Sequence, residues 1–192
     1  QGDVGSGKTI VSLMTAANVL EIGFQSALMA PTAILAKQHY NFAKKIFDGT
    51  SIKIKLLTGK TDIKFRKKIL EGLKNGDVNL LIGTHALFQK KIEFKKLGLI
   101  IIDEQHKFGV SQRKKLSDKA GKNCDVLLMT ATPIPRTLTM TIYGDMDLSI
   151  IREKPNVRKP IKTYSKLEHK IDDVIKFVKK EIHLGNQIFW VC

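Results

Sequence analysis

Along residues 8–22 the apolar side chains Ile10, Val11, Leu13, Met14, Ala17 and Leu20 recur at the three- and four-residue spacing of one helix face. Gly23 then ends the run. The continuous apolar stretch Ala27-Leu28-Met29-Ala30 predicts a short buried strand, Pro31-Thr32 opens a second helix, and residues 34–47 carry its periodicity. The alternation goes on with a strand over 52–57, a basic helix over 62–74, a strand over 78–84 broken at Gly83, and an apolar strand over 97–102 that runs into Asp103-Glu104. A basic helix over 110–119, a strand over 125–129 and a helical stretch after Pro133 extend the series. Apolar strands separated by helices predict an α/β domain whose parallel sheet is covered on both faces.

The pattern lapses around residues 152–160, where two prolines and four basic residues read as an interdomain linker. The expected organisation is a first lobe at 1–153, a linker at 154–160 and the start of a second lobe at 161–192, with a strand over 161–164, an amphipathic helix over 167–184 and a strand over 187–192. Gln1-Gly2 runs at once into a glycine-rich loop that a strand should precede, and the chain closes inside a strand-like run. The sequence therefore reads as a piece of a longer protein.

Composition narrows the class. With 43% hydrophobic residues among 192 the chain can bury a core, and no apolar run approaches the roughly 20 residues that cross a bilayer. A soluble, intracellular protein is expected. The two cysteines, Cys124 and Cys192, offer neither a disulfide framework nor a CxxC metal pair. His39, His85 and His106 lack metal-ligand spacing. The net charge of +15 suits a partner with a phosphate backbone. Yet 28 of the 33 basic residues are Lys and 5 are Arg, a bias that solvated helix faces would also produce.

Chemistry enters at the loop. Gly2-Asp3-Val4-Gly5-Ser6-Gly7-Lys8-Thr9 fits the phosphate-loop pattern GxxxxGK[ST] and opens a helix. In such a loop Gly2, Gly5, Ser6 and Gly7 let backbone N–H groups converge on phosphate oxygens, Lys8 reaches the β and γ phosphates, and Thr9 can ligate Mg²⁺. Asp103-Glu104 ends an apolar strand, and in parallel sheets the carboxyl ends of strands face the ligand crevice. Asp103 would hold Mg²⁺ and Glu104 would polarise the attacking water; an acidic pair at a strand end also serves as a helix cap.

Asp103-Glu104-Gln105-His106 followed by Thr130-Ala131-Thr132 resembles the superfamily-two helicases of DExH type, over essentially the whole chain. That resemblance implies a RecA-like fold, ATP with Mg²⁺, and a coupling of nucleotide state to DNA movement through Gln105, His106, Thr130, Ala131 and Thr132. Hydroxyl capping of the helix at Pro133 is the plainer role of Thr130 and Thr132. It also implies DNA contacts at Pro31 and Thr32, at Thr58, Gly59 and Lys60, and at Gly83, Thr84 and His85, each just after a predicted strand. Such residues at strand ends also form ordinary turns.

The segments 1–9, 103–110 and 129–138 and the closing Trp190-Val191-Cys192 are similar to the RecG-type branch-migration helicases. Members of that family imply a monomeric, bacterial cytoplasmic enzyme acting on forked or branched duplex DNA in repair and recombination. The transcription-repair coupling translocase shares much of this lobe but usually has Glu where Gln105 stands. A phosphate-binding module without turnover, or a small-molecule kinase, is the reading from another class; a kinase would lack the Thr130-Ala131-Thr132 segment. In the helicase reading the second lobe lends arginines to the ATP site, so the piece in hand is expected to turn over little ATP alone.

Overall fold

The loop 1–7 feeds helix α1 (Lys8–Glu21) through Gly7, which sits in the left-handed region at φ 95°, where a side chain would be strained. The elements that follow are β1 (Gln25–Met29), α2 (Ala33–Ile46), β2 (Ile54–Leu57), α3 (Ile63–Asn75), β3 (Leu80–Gly83), β4 (Leu97–Asp103), β5 (Asp125–Met129) and α4 (Ile171–His183). A computed structural model describes residues 1–89, 91–104, 124–132, 147–153 and 162–191. The helices predicted at 110–119 and after Pro133, and the predicted linker 154–160, lie outside the described residues. The chain divides into two compact units, Gln1–Pro155 and Asn156–Cys192.

In the first unit five strands form one parallel sheet in the order β2-β3-β1-β4-β5. Alternation along each strand sorts the core into two layers. Leu28, Leu80, Ile82, Leu99 and Ile101 pack with Leu13, Ala16 and Leu20 of α1 and with Ala36, Ala43 and Phe47 at α2. Met29, Leu81, Ile100 and Ile102 pack on the other face with Ile69 and Leu73 of α3. Helices thus cover both faces, as a parallel sheet requires.

Three predicted strands shift by two residues, each for a physical reason. β1 begins at Gln25, not Ala27, because Gln25 and Ser26 are buried and paired despite their polarity. The Gln25 amide nitrogen donates to the carbonyls of Leu73 (3.0 Å) and Val78 (2.7 Å), while its oxygen accepts from the Lys96 N–H (3.0 Å). β2 and β3 begin two residues late. Their predicted openings are joined by a side chain, the Lys53 N–H donating to Asn79 Oδ1 (2.8 Å), and the Lys53 carbonyl takes both the Asn79 and Leu80 N–H groups.

In the second unit α4 follows a 3₁₀ turn at Glu168–Lys170 and buries no residue. The strands expected over 161–164 and 187–192 do not form among described residues 162–164 and 187–191. A strand needs a hydrogen-bonded neighbour, and the described part of this unit offers one helix and no ladder. No helix among the described residues is long and apolar enough to cross a membrane.

Candidate functional site

Because all five strands run parallel, their carboxyl ends share one edge of the sheet, and the register fixes what stands there. Leu57 pairs with Gly83, Gly83 with Met29, Met29 with Ile102, and Asp103 with Met129. Every described site residue predicted from sequence lies at this edge or in the loop beside it. The edge is also divided. The segments beginning at Pro31, Thr58 and Gly83 stand at the ends of the contiguous strands β1, β2 and β3, whereas Asp103, Glu104 and Thr130 stand at the ends of β4 and β5.

The phosphate loop is fastened to the second half. The Gly2 N–H donates to the Thr130 carbonyl (3.3 Å), and the Ile151 N–H donates to the Gln1 carbonyl (2.8 Å). Within the loop Gly5 and Gly7 take φ values of 83° and 95°, and the Ser6 N–H closes a turn on the Asp3 carbonyl (3.1 Å). The Lys8 ammonium folds back across the loop and donates to the carbonyls of Gly2 (2.7 Å) and Asp3 (2.9 Å). Ser6 Oγ is buried without a hydrogen-bond partner among the described residues. No acidic residue occupies the first turn of α1, so nothing on the helix offsets its positive end. A loop with two left-handed glycines, a lysine folded across it and an orphaned hydroxyl fits a phosphate chain. Thr9 stands in that first turn, half-buried.

Asp103 is the last residue of β4 and is buried. Its Oδ2 accepts a hydrogen bond from His39 Nε2 at 2.8 Å, reaching it from α2. Residue spacing tests His39 only as a metal ligand and does not reveal this pairing. The available signal is its place in the stripe Ala36, His39, Ala43, the buried face of α2. The next residue, Glu104, is the one non-glycine with positive φ among the described residues, at 50°. Backbone strain of this kind concentrates at functional sites.

Thr130 Oγ1 lies 3.0 Å from Thr132 Oγ1 and accepts the Thr132 N–H at 3.2 Å, so the two threonines brace one turn with Ala131 between them. Since the Thr130 carbonyl holds Gly2, that turn and the phosphate loop are one hydrogen-bonded piece. Gln105 and His106 lie outside the described residues.

On the other half of the edge local structure already occupies several groups. Thr32 caps α2 by accepting the Leu35 N–H on its hydroxyl (3.2 Å). The Thr58 N–H donates to Thr61 Oγ1 (2.9 Å). Gly83 and Thr84 are buried, while Gly59, Lys60 and His85 are exposed.

Cys124, half-buried at the start of β5, has its thiol pKa raised to about 11 by burial and, second, by the neighbouring Asp125 carboxylate.

Comparison with known proteins bears on the family and the fold. The DEAD/DEAH box helicase family profile matches residues 1–141. The ATP-dependent DNA helicase RecG of Bacillus subtilis is 49% identical over 192 residues, all of this chain and 28% of that protein. The RecG proteins of Borreliella burgdorferi and Thermotoga maritima are each 47% identical over 191 residues, covering 28% and 24% of their lengths. The chain thus spans about a quarter of the length of the relatives it matches. A solved structure of RecG bound to a three-way DNA junction superposes with a TM-score of 0.76 at 44% identity, over 97% of this chain and 25% of that one. The Pyrococcus furiosus Hef helicase domain shares the fold, with a TM-score of 0.61 at 20% identity over 78% of this chain and 33% of that one. These matches do not favour the transcription-repair coupling translocase, and the sheet is RecA-like. With the helicase profile covering most of the chain and RecG proteins aligning along all of it, the chain belongs to the DEAD/DEAH box helicase family, in its RecG-type branch.

Proposed function

We propose that this chain is the first motor lobe, residues 1–153, of an ATP-dependent DNA helicase, joined through a linker at 154–160 to a second lobe that begins at 161–192. The whole enzyme couples ATP hydrolysis to branch migration, remodelling stalled forks and Holliday junctions in repair and recombination. It acts as a monomer in the bacterial cytoplasm. The observation that carries this reading is the continuity of the edge: Gly2 is bonded to Thr130, whose neighbour Met129 stands in register with Asp103. Phosphate loop, acidic pair and threonine turn form one unit.

Within it Gly2, Gly5, Ser6 and Gly7 cradle the triphosphate of ATP, and Lys8 exchanges its loop carbonyls for the β and γ phosphates. Thr9 and Asp103 hold Mg²⁺. Bound there, the metal neutralises charge that builds on the phosphates in the transition state. Glu104 orients the attacking water and takes its proton. Thr130, Ala131 and Thr132, with Gln105 and His106, pass the nucleotide state to the DNA side.

There Thr32, Gly59, Lys60 and His85 offer exposed groups to backbone phosphates, while Pro31, Thr58, Gly83 and Thr84 shape the strand ends that present them. Such contacts position the duplex without reading sequence. The test is steady-state ATPase of the full-length protein with forked DNA, linear duplex or single strands. Forked DNA should stimulate most; hydrolysis indifferent to all three would overturn the proposal.

A further inference from the structure

We infer that His39 is the positioning residue of Asp103, setting how its carboxylate meets the metal of the ATP site. The inference rests on the proposed role of Asp103 in holding that metal. His39 and Asp103 are each 8% exposed, and their side chains meet at 2.8 Å, between Nε2 and Oδ2. A buried carboxylate is costly unless hydrogen-bonded, and the described residues give Asp103 no other side-chain partner than this ring.

The helix is built to deliver the imidazole there. Its buried positions are Ala36, His39 and Ala43, so two small residues flank the ring and α2 can lie close to the sheet. To bond an ionised carboxylate, Nε2 must carry the ring proton, which fixes the tautomer. With Oδ2 engaged, Oδ1 is the oxygen left to serve the metal or its water. Carboxylates that ligate metals are themselves held by hydrogen bonds, and losing such a partner typically costs 10- to 100-fold in metal affinity. His39 touches neither nucleotide nor reacting atoms; it acts through Asp103.

The experiment compares His39→Gln, His39→Leu and Asp103→Asn in the full-length protein. Gln keeps an N–H donor, whereas Leu fills space without one. Two quantities are read: the Mg²⁺ concentration that half-saturates DNA-stimulated ATPase, and the affinity for Mn²⁺, followed by its EPR signal, with a non-hydrolysable ATP analogue bound. His39→Leu should raise the Mg²⁺ requirement and weaken Mn²⁺ binding by about 10- to 100-fold. KM for ATP at saturating Mg²⁺ should stay near wild type, and His39→Gln should recover most of the loss. If His39→Leu fails to fold, His39→Ala takes its place: a loss of metal affinity of about 10-fold or more that His39→Gln largely recovers supports the inference, and unchanged affinity overturns it. Unchanged metal affinity in His39→Leu beside a large loss in Asp103→Asn overturns the inference and spares the reading of Asp103. Unchanged metal affinity in Asp103→Asn removes that reading, and the inference with it.

Discussion

A Cβ placed on Gly83 would lie 2.1 Å from the carbonyl oxygen of Leu57, its register partner on β2. Real Cβ atoms do not approach a backbone oxygen so closely, and neither strand can yield without breaking the ladder. The resemblance to helicases suggested a DNA contact at Gly83, but close strand packing by itself demands glycine there. Gly83→Ala should cost about 3 kcal/mol or more, lowering Tm by about 6–12 °C. A thermal melt checks this. Wild-type Tm with weakened DNA binding would instead assign the residue to DNA.

Gln25 closes the opposite end of the sheet with three hydrogen bonds to three segments, two of them buried and the one from Lys96 partly so. Gln25→Leu leaves the Leu73 and Val78 carbonyls and the Lys96 N–H without this partner, at about 1–3 kcal/mol for each group that water cannot reach. Gln25→Glu keeps an acceptor for Lys96 but turns a carboxylate toward two carbonyl oxygens. Urea unfolding should therefore rank wild type above both variants, with Glu at least as low as Leu. A neutral effect of Glu would mean that the two carbonyls are satisfied another way.

These residues mark what a sequence makes legible. The apolar run Leu99-Ile100-Ile101-Ile102 could only be a buried strand, and in a parallel sheet its end had to share an edge with the phosphate loop. The same logic set Asp103, Glu104 and Thr130 at that edge. Gln25 and Ser26 were illegible because a polar residue joins a buried strand only when its partners, 48 and 53 residues away for Gln25, are already in place. His39 was illegible for the same reason. The structure sets it in line with Ala36 and Ala43 on the buried face of α2, and only packing decides which strand end that face meets.

Cys124 gives a prediction in pH. Its thiol pKa of about 11, against an ordinary 9.0, leaves it neutral through the physiological range. The higher pKa cuts the thiolate fraction near pH 8 about 100-fold, and the greater intrinsic nucleophilicity of a more basic thiolate restores about tenfold. Iodoacetamide should therefore label Cys124 about ten times more slowly than an unstructured cysteine at about pH 8, with the rate still climbing at about pH 10 and levelling only near 11. Mass spectrometry of the peptide containing Cys124 would follow it; a plateau by about pH 10 would contradict the assigned environment.

Glu104 allows stability and turnover to be separated. At φ 50° it holds a backbone conformation that glycine adopts without strain, and the strain costs of order 1 kcal/mol or more. Glu104→Gly should relieve that strain, so Tm should stay at or above the wild-type value even though glycine adds freedom to the unfolded chain. Glu104→Gln should retain the strain and the shape. In the full-length protein both variants should bind ATP with near wild-type affinity, because the proposed function assigns the phosphate contacts to the loop 2–9. Both should lose about 10²- to 10⁴-fold in kcat, since neither side chain can accept the proton of the attacking water. Fluorescent-nucleotide binding and single-turnover hydrolysis measure the two quantities separately. Turnover surviving in Glu104→Gln would move the general base elsewhere, whereas a large drop in Tm for Glu104→Gly would show that its side chain supports the fold.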